Sequence, residues 1–518
     1  MPSNTKPNKS QASGSIFGSL SLPYVSWPRR WSFQNVLARA LSWWRAIYTS
    51  RWLLGLLLLL GLALRLAGLG NDALWYDEVF TSRLASLDLL SLAGATRGDV
   101  HPPLWYLIEW LAVRLIGNEP TGLRLPAALF GTWSIYEMYR LVKLVIGEHH
   151  ARSAAIAVTI LPAAINYSQE ARQYALFALL VIANLRAVLE NKWGRAWMLA
   201  ALLAYLHNVA LLYVGCIAFL LYLRNPYQAW RLVWRAGVAY APWALSLASQ
   251  LQTVGEKFWP IPPTPGALVT ALIYNTLYIR YPGETVIPIV SAGIAISGAA
   301  AVILRKQWRI LSPIVAMSAI PPLLIFAISN LWRSILVDRI MLPSGIMLAA
   351  LWGIAAATLT TRSRLIALAA AAPALITALV GYYTWRNPHD LNWRPAIEAI
   401  TDHDRPCDVI YHVDAGSYML MDNTVPGRNI MTPIETDLSL GLTDETKDAM
   451  GIVRQPFDAL PGRYCRAWLV DARTPMFTDK QQATVDHITA TYPVLSVAHP
   501  IRDKLAEVTI YLIDLGVP

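Results

Sequence analysis

The sequence predicts a polytopic α-helical membrane protein with a C-terminal α/β soluble domain, and three observations carry that prediction. The 518-residue chain is 55% hydrophobic and only 15% charged, with a mean hydropathy of +0.39, which is too apolar for an ordinary soluble enzyme. Apolar runs approaching the length of a membrane span recur from Leu53 to about residue 385. Beyond Tyr383 that texture stops, and Asp, Glu, His and Arg recur throughout residues 386–518.

The first span is the clearest. Leu53 to Leu69 is interrupted only by Gly55, Gly61, Gly68 and Arg65, and Trp52 and Trp75 flank it where interfacial aromatics belong. It does not read as a cleavable signal, because about 50 residues precede it and no small-residue cleavage site follows. Arg29, Arg30, Arg39, Arg45 and Arg51 lie before it, whereas Asp72, Asp77 and Glu78 follow it. By the positive-inside rule this places residues 1–50 in the cytoplasm as a basic segment, with the first loop, residues 70–102, outside. The net charge of +10 is therefore topogenic and does not point to nucleic acid. Residues 1–25, rich in Ser, Pro, Asn and Lys, have the composition of an unstructured segment.

Further apolar runs occupy 103–117, 123–146, 153–168, 172–189, 196–223, 235–250, 266–281, 285–304, 310–328, 335–358 and 363–385. The run at 196–223 divides naturally at His207-Asn208, so residues 51–385 form a membrane domain of about 11 to 13 helices. No internal repeat is visible. In 386–518, strand-like runs at Asp408–Val413, Ala467–Asp471 and Val508–Ile513 predict strands, and Asp479–Tyr492 predicts a helix. That is enough chain for a separate α/β core. Cys216 falls inside a span as a small buried residue. Cys407 and Cys465 each adjoin a predicted strand and would pair in an oxidising compartment, but sequence alone does not supply their separation.

Chemistry is best sought where the first span emerges, at Leu74-Trp75-Tyr76-Asp77-Glu78. Neighbouring carboxylates point in different directions on regular structure. One is then free to face a reacting group as a general base, while the other holds a loop residue such as Arg83 or Arg97. Both can equally be solvated loop acids. His101-Pro102-Pro103-Leu104-Trp105-Tyr106 closes the loop, with proline fixing a helix start and His101 placed to donate to an anion or to serve as a cap. Tyr167 to Tyr174 forms a polar island in which Arg172 is suited to a phosphate or to snorkelling. Val337-Asp338-Arg339 puts a charged pair at a span mouth, as a ligand or as a local ion pair.

Asp77-Glu78, His101 to Tyr106, Gly122 to Leu129 and Ser168 to Ala175, in that order behind a first span, resemble the GT-C superfamily of membrane glycosyltransferases. The likeness is to the bacterial branch related to protein O-mannosyltransferases and lipid A aminoarabinose transferases. It covers roughly residues 52 to 210, with weaker support at Arg339-Ile340-Met341-Leu342-Pro343, where such proteins often have Arg-Tyr.

The resemblance implies transfer of a sugar from a polyprenyl-phosphate carrier to an extracytoplasmic glycan, lipid or protein acceptor, with inversion, in the inner (plasma) membrane. Asp77 and Glu78 would be the catalytic carboxylates, with Asp77 as base and Glu78 as support. His101, Arg172, Tyr174 and Arg339 would bind substrate, with Arg172 on the leaving phosphate and His101 as a second candidate for it. The lipid-linked sugar is then donor substrate, and no cofactor is implied. Asp77, Glu78, Asp99 and Glu170 supply oxygens for a divalent ion, but without a coordination spacing, and no metal is expected.

One difficulty of topology follows. If 103–117, 123–146 and 153–168 all cross, Arg172 falls opposite Asp77, whereas Arg140, Lys143 and Arg152 mark the 147–152 turn as cytoplasmic. One of the three segments must therefore fail to cross. The alternative reading is a multi-span transporter or flippase of a lipid-linked or anionic solute. Its usual paired repeats are absent here. An inactive scaffold that binds a partner through the C-terminal domain is a third possibility.

Overall fold

A computed structural model describes residues 46–257, 262–277, 308–384, 393–432, 444–473, 479–502 and 507–516, together with Ser42 and Pro260. Most of the basic N-terminal segment and the apolar run at 285–304 lie outside the described residues. The helices up to residue 384 are α1 (Leu53–Leu66), α2 (Tyr76–Ser86), α3 (Leu89–Arg97), α4 (Leu104–Ile116), α5 (Pro120–Ile146), α6 (Glu148–Thr159) and α7 (Pro162–Asn166). They continue as α8 (Tyr174–Leu189), α9 (Trp193–Leu206), α10 (Ala210–Tyr222), α11 (Pro226–Tyr240), α12 (Ala244–Lys257), α13 (Pro265–Leu277), α14 (Trp308–Leu331), α15 (Leu342–Thr358) and α16 (Thr361–Thr384). Among the described residues, Ile310–Leu331 and Asp338–Thr358 are long and apolar enough to cross a membrane. Leu53–Leu66, Tyr174–Leu189, Ala210–Tyr222 and Ala372–Thr384 are shorter apolar helices.

Local chemistry sets the helix ends. Asp88 caps α3 by accepting from the amides of Leu90 and Ser91 at 2.9 and 3.1 Å. Pro120 opens α5, where its missing N–H costs nothing, and Gly147 at φ +97° closes it. The run at 196–223 does divide, with α9 and α10 meeting at His207 to Val209. Close helix packing needs small residues. A Cβ at Gly353 of α15 would lie 2.5 Å from the Ser153 carbonyl of α6, so that approach requires glycine. One charge cluster inside the bundle is paired: Arg186 of α8 donates to both oxygens of Glu137 on α5 at 2.7 and 3.1 Å and to Glu190 at 2.6 Å. Apolar side chains face outward, among them Leu59, Phe219, Trp230, Trp234 and Leu323.

The bundle has two ends, and α4 does not run between them. Trp110 and Arg114 donate to the carbonyls of Ala85 and Leu87, and Ser82 donates to Asn118 at 2.9 Å. The helix thus lies along the α2–α3 segment, and the chain enters α5 at the end where it left α1. The apolar run 103–117 is therefore not a crossing segment. Its hydropathy comes from an exposed apolar face, with Leu107, Leu111 and Leu115, set against a buried one with Trp105, Tyr106 and Ala112. This removes the difficulty of topology, because α5 descends and α6–α7 return, bringing Arg172 back to the end that holds Asp77.

The C-terminal part is a five-stranded sheet of order β2-β1-β3-β5-β4, with helices α17 (Arg394–Thr401), α18 (Ala415–Thr424), α19 (Asp444–Ala449) and α20 (Asp479–Thr491). Its strands are β1 (Asp408–His412), β2 (Asn429–Met431), β3 (Arg466–Arg473), β4 (Val494–Arg502) and β5 (Glu507–Asp514). β1 is parallel to β2 and β3, and β5 is antiparallel to β3 and β4. Period-2 alternation splits the core. Val409, Tyr411 and Leu469 pack with Val485 and Ile488 of α20, while Ile410, Trp468 and Val470 pack with Ala396 and Ile400 of α17. Cys407 and Cys465, with Cα atoms 5.4 Å apart, form a disulfide at the start of β1 and β3. This sheet docks on the first loop: Arg83 of α2 bonds Asp422 of α18 at 2.7 Å, and Thr446 of α19 donates to the Ala95 carbonyl at 3.2 Å.

Candidate active site

The site begins with the first turn of α2. Asp77 and Glu78 occupy that turn, where carboxylates suit the helix dipole, and about 100° of helical rotation separates their directions. Glu78 turns inward and is fully buried. It accepts from Arg124 of α5 at 2.8 and 2.6 Å, from the Ala171 amide at 2.8 Å and from the Trp75 amide at 3.3 Å. Its partner is thus Arg124, not the expected Arg83 or Arg97, since Arg83 is engaged by Asp422. Arg124 also donates to the carbonyls of Leu69, Asp72 and Ala73, each at 3.0 Å. One carboxylate and one guanidinium therefore hold the chain from α1 to α2 against α5 and the 168–173 island.

Asp77 turns the other way. Its Oδ2 lies 3.1 Å from Nη1 of Arg339 and 3.8 Å from Nε of Arg172. Arg172 is buried, with Nη1 near the Asp77 carbonyl and the Thr81 hydroxyl at 3.4 and 3.3 Å. Arg339 sits over the rings of Trp75 and Tyr174, 5.7 Å from each centroid. The carbonyl of Asp338, beside Arg339, accepts from Asn275 at 2.6 Å. Asp77, Arg172, Tyr174 and Arg339 are thus brought together from α2, the 168–173 island, α8 and the turn before α15.

The 168–173 island is fixed from several sides. Gln169 donates to the carbonyls of Leu64, Arg65 and Ala67 and accepts from Tyr382 of α16. Arg65, fully buried in α1, donates to Ser168 at 3.2 Å. A Cβ at Gly131 of α5 would collide with Ser168, so glycine is what lets that helix close on the island. Trp105 of α4 donates to the Ala171 carbonyl at 3.1 Å.

His101 lies just ahead of α4. Its ring is 4.9 Å from that of His207. Burial drives its pKa well below the usual histidine value, and nearby His207, Arg172 and Arg339 add to the effect. Asp99 accepts from the Tyr106 hydroxyl at 2.8 Å. Burial raises its pKa, against the pull of Tyr106 and Arg172. The carboxylates offered by sequence for a cation go to separate partners, with Glu78 on Arg124, Asp99 on Tyr106 and Glu170 on Asn166. Among the described residues, no group of three or more His, Cys, Asp or Glu side chains is placed to hold a metal ion.

The sequence does not single out Arg124, Arg65 or His207 as site residues. Arg124 lies inside the Gly122 to Leu129 motif, and His207 marks a break in an apolar run. Arg65 was visible as the lone charge in the first span.

Residues 100–251 match the family model for dolichyl-phosphate-mannose-protein mannosyltransferase. No curated protein matches the chain by sequence. Among solved structures, ArnT from Cupriavidus metallidurans bound to undecaprenyl phosphate aligns with a TM-score of 0.57 at 15% identity, over 89% of this chain and 98% of that one. The apo state of that ArnT gives 0.58 at 15% identity, over 90% and 98%. The oligosaccharyltransferase AglB from Archaeoglobus fulgidus, in complex with an inhibitory peptide and a dolichol-phosphate, aligns at 0.47 and 11% identity, over 80% and 68%. The chain therefore shares the fold of that ArnT, and over residues 100–251 it resembles the protein mannosyltransferases.

Proposed function

We propose that the protein is a polytopic membrane glycosyltransferase that moves a sugar from a polyprenyl-phosphate carrier to an extracytoplasmic acceptor, with inversion at the anomeric carbon. The observation that carries this reading is the convergence of Arg172 and Arg339 on Asp77. Two guanidiniums beside one carboxylate suit a reaction in which a phosphate departs as a hydroxyl is deprotonated. Support comes from the fold shared with ArnT, one of whose structures holds undecaprenyl phosphate.

In this mechanism the phosphate of the donor settles between Arg172 and Arg339. It takes over the guanidinium partners of Asp77 and leaves that carboxylate for the acceptor hydroxyl. The acceptor oxygen attacks the anomeric carbon as its proton passes to Asp77. The bond from that carbon to the phosphate oxygen breaks, and its electron pair stays on the phosphate between the two arginines. Glu78 and Arg124 hold α2 at the correct depth, so Glu78 is a positioning residue and not a second base. Tyr174 supports Arg339 through its ring.

Membrane placement is supported by the apolar outer surface and by the distribution of charge. Arg140, Lys143, Arg152, Lys192 and Arg195 lie at the end of the bundle opposite Asp77, which supports a site facing away from the cytoplasm. A count of about 11 to 13 membrane helices, some tilted or short, belongs to the same reading.

The test is Asp77→Asn in membranes supplied with lipid-linked sugar, together with mass spectrometry of envelope glycans with and without the gene. Loss of transfer, with intact insertion and one missing sugar, supports the assignment. Unchanged transfer sinks the role of Asp77, and an unaltered glycan profile under every growth condition favours a transporter.

A further inference from the structure

The break between α9 and α10 is built around a histidine whose outer ring nitrogen has no partner. His207 is buried. Its Nδ1 accepts from the Val209 amide at 3.1 Å, so in the neutral ring the hydrogen resides on Nε2. That Nε2 is buried and makes no hydrogen bond among the described residues. The ring is confined by Phe177, stacked at 5.6 Å, by His101 at 4.9 Å and by Tyr174 at 6.4 Å. Both Arg172 and Arg339 are within electrostatic reach of it.

The surroundings are braced. Asn208 donates to the Val100 carbonyl and to Gln250 of α12, each at 3.0 Å, and Gln250 donates to the carbonyls of Thr96 and His101 at 3.1 and 3.3 Å. This ties the His101 loop to the His207 break. His101 Nδ1 is a second buried nitrogen without a partner on the same cluster. A buried N–H donor without an acceptor is unfavourable, and a fixed donor packed on Tyr174, whose ring also carries Arg339, fits an anionic oxygen.

We infer that His207 is a phosphate-binding residue: its Nε2–H donates, as a neutral fixed donor, to a phosphate oxygen of a polyprenyl phosphate held by Arg172 and Arg339. This rests on the proposed function and adds to it a residue from the break between α9 and α10. The chemistry is distinct from that of the arginines. They attract the phosphate by charge, whereas a neutral donor of fixed direction selects its orientation.

The experiment measures binding of farnesyl phosphate, with farnesol as control, to the full chain in detergent. Asn in place of histidine puts its amide oxygen near the position of Nδ1 and keeps the bond to the Val209 amide, but has nothing at the Nε2 position. Gln does the reverse. His207→Asn is expected to weaken farnesyl phosphate binding by about tenfold to a hundredfold, as for loss of one hydrogen bond to a charged acceptor. His207→Gln is expected to restore most of it, and farnesol binding should change in neither. Equal loss in both variants, or no loss in His207→Asn while Arg172→Gln weakens binding, overturns the inference alone. A wild-type chain that does not distinguish farnesyl phosphate from farnesol overturns the functional reading as well.

Discussion

Glu78 and Arg124 form a buried ion pair in which both carboxylate oxygens are engaged, at 2.8 and 2.6 Å. Removing one partner strands the other charge in the interior. Arg124→Met or Glu78→Leu alone is expected to destabilise the detergent-solubilised protein by about 3–5 kcal/mol, read as a large drop in its thermal unfolding midpoint. The double variant is expected to recover much of that loss, because no uncompensated charge remains. A double variant as unstable as the sum of the singles would show that the hydrogen bonds from Arg124 to the loop carbonyls dominate.

Arg339 is held by two aromatic faces as well as by Asp77, so charge alone does not replace it. Arg339→Ala is expected to raise KM for lipid-linked sugar roughly tenfold or more, as for loss of a charged hydrogen-bond partner. Arg339→Lys should recover only part of this, since an ammonium lacks the planar face that lies on Trp75 and Tyr174. Steady-state kinetics in detergent or nanodiscs separates the KM effect from kcat. A KM equal to wild type in the lysine variant contradicts the stacking argument.

The Cys407–Cys465 bridge closes a loop across a sequence separation of 58, for which chain entropy gives about 4 kcal/mol of stabilisation. Cys407→Ser with Cys465→Ser is expected to make the C-terminal sheet susceptible to protease at temperatures where the wild type resists. The wild-type chain should run faster on a non-reducing gel than on a reducing one. Identical mobility in protein purified from membranes would show that the bridge does not form in the cell.

His412 is fully buried in β1, bonded to Ser417 and Asn429. Burial lowers its pKa from 6.5 to about 4, against the opposing effect of Asn429. Between those values the unfolded chain binds a proton that the folded chain does not, so stability rises with pH across this window. The contribution is on the order of 3 kcal/mol at neutral pH. It is fully present above pH 6.5 and is lost as pH falls toward 4. Thermal melts across that range should steepen on the acid side for wild type and flatten in His412→Asn.

Much of this arrangement was legible in the sequence, for physical reasons. The strands at Asp408–Val413, Ala467–Asp471 and Val508–Ile513 announce themselves as short runs rich in apolar, β-branched and aromatic residues, and they are buried along most of their length. β2 has only three residues, and β4 mixes Ser496, His499 and Pro500 into its pattern, so neither gives a clear signal. Asp77, Arg172 and Arg339 stand out as charges at the margins of apolar runs, but their meeting is a product of tertiary closure that no local spacing encodes. Arg124 is masked by the apolar residues on either side of it. The path of α4 was legible only through the parity of the later turns, because hydropathy does not distinguish a helix that crosses from one that lies along its neighbours.

Arg124 holds the connection between α1 and α2 by the carbonyls of Leu69, Asp72 and Ala73, and the charge of Asp72 adds to that hold. A clamp on main-chain oxygens is indifferent to the side chains at positions 69 and 73. Those two positions can therefore drift in composition without shifting α2, provided that the length of the connection, its acid and the arginine are kept. Insertions and deletions there should be far more damaging than substitutions.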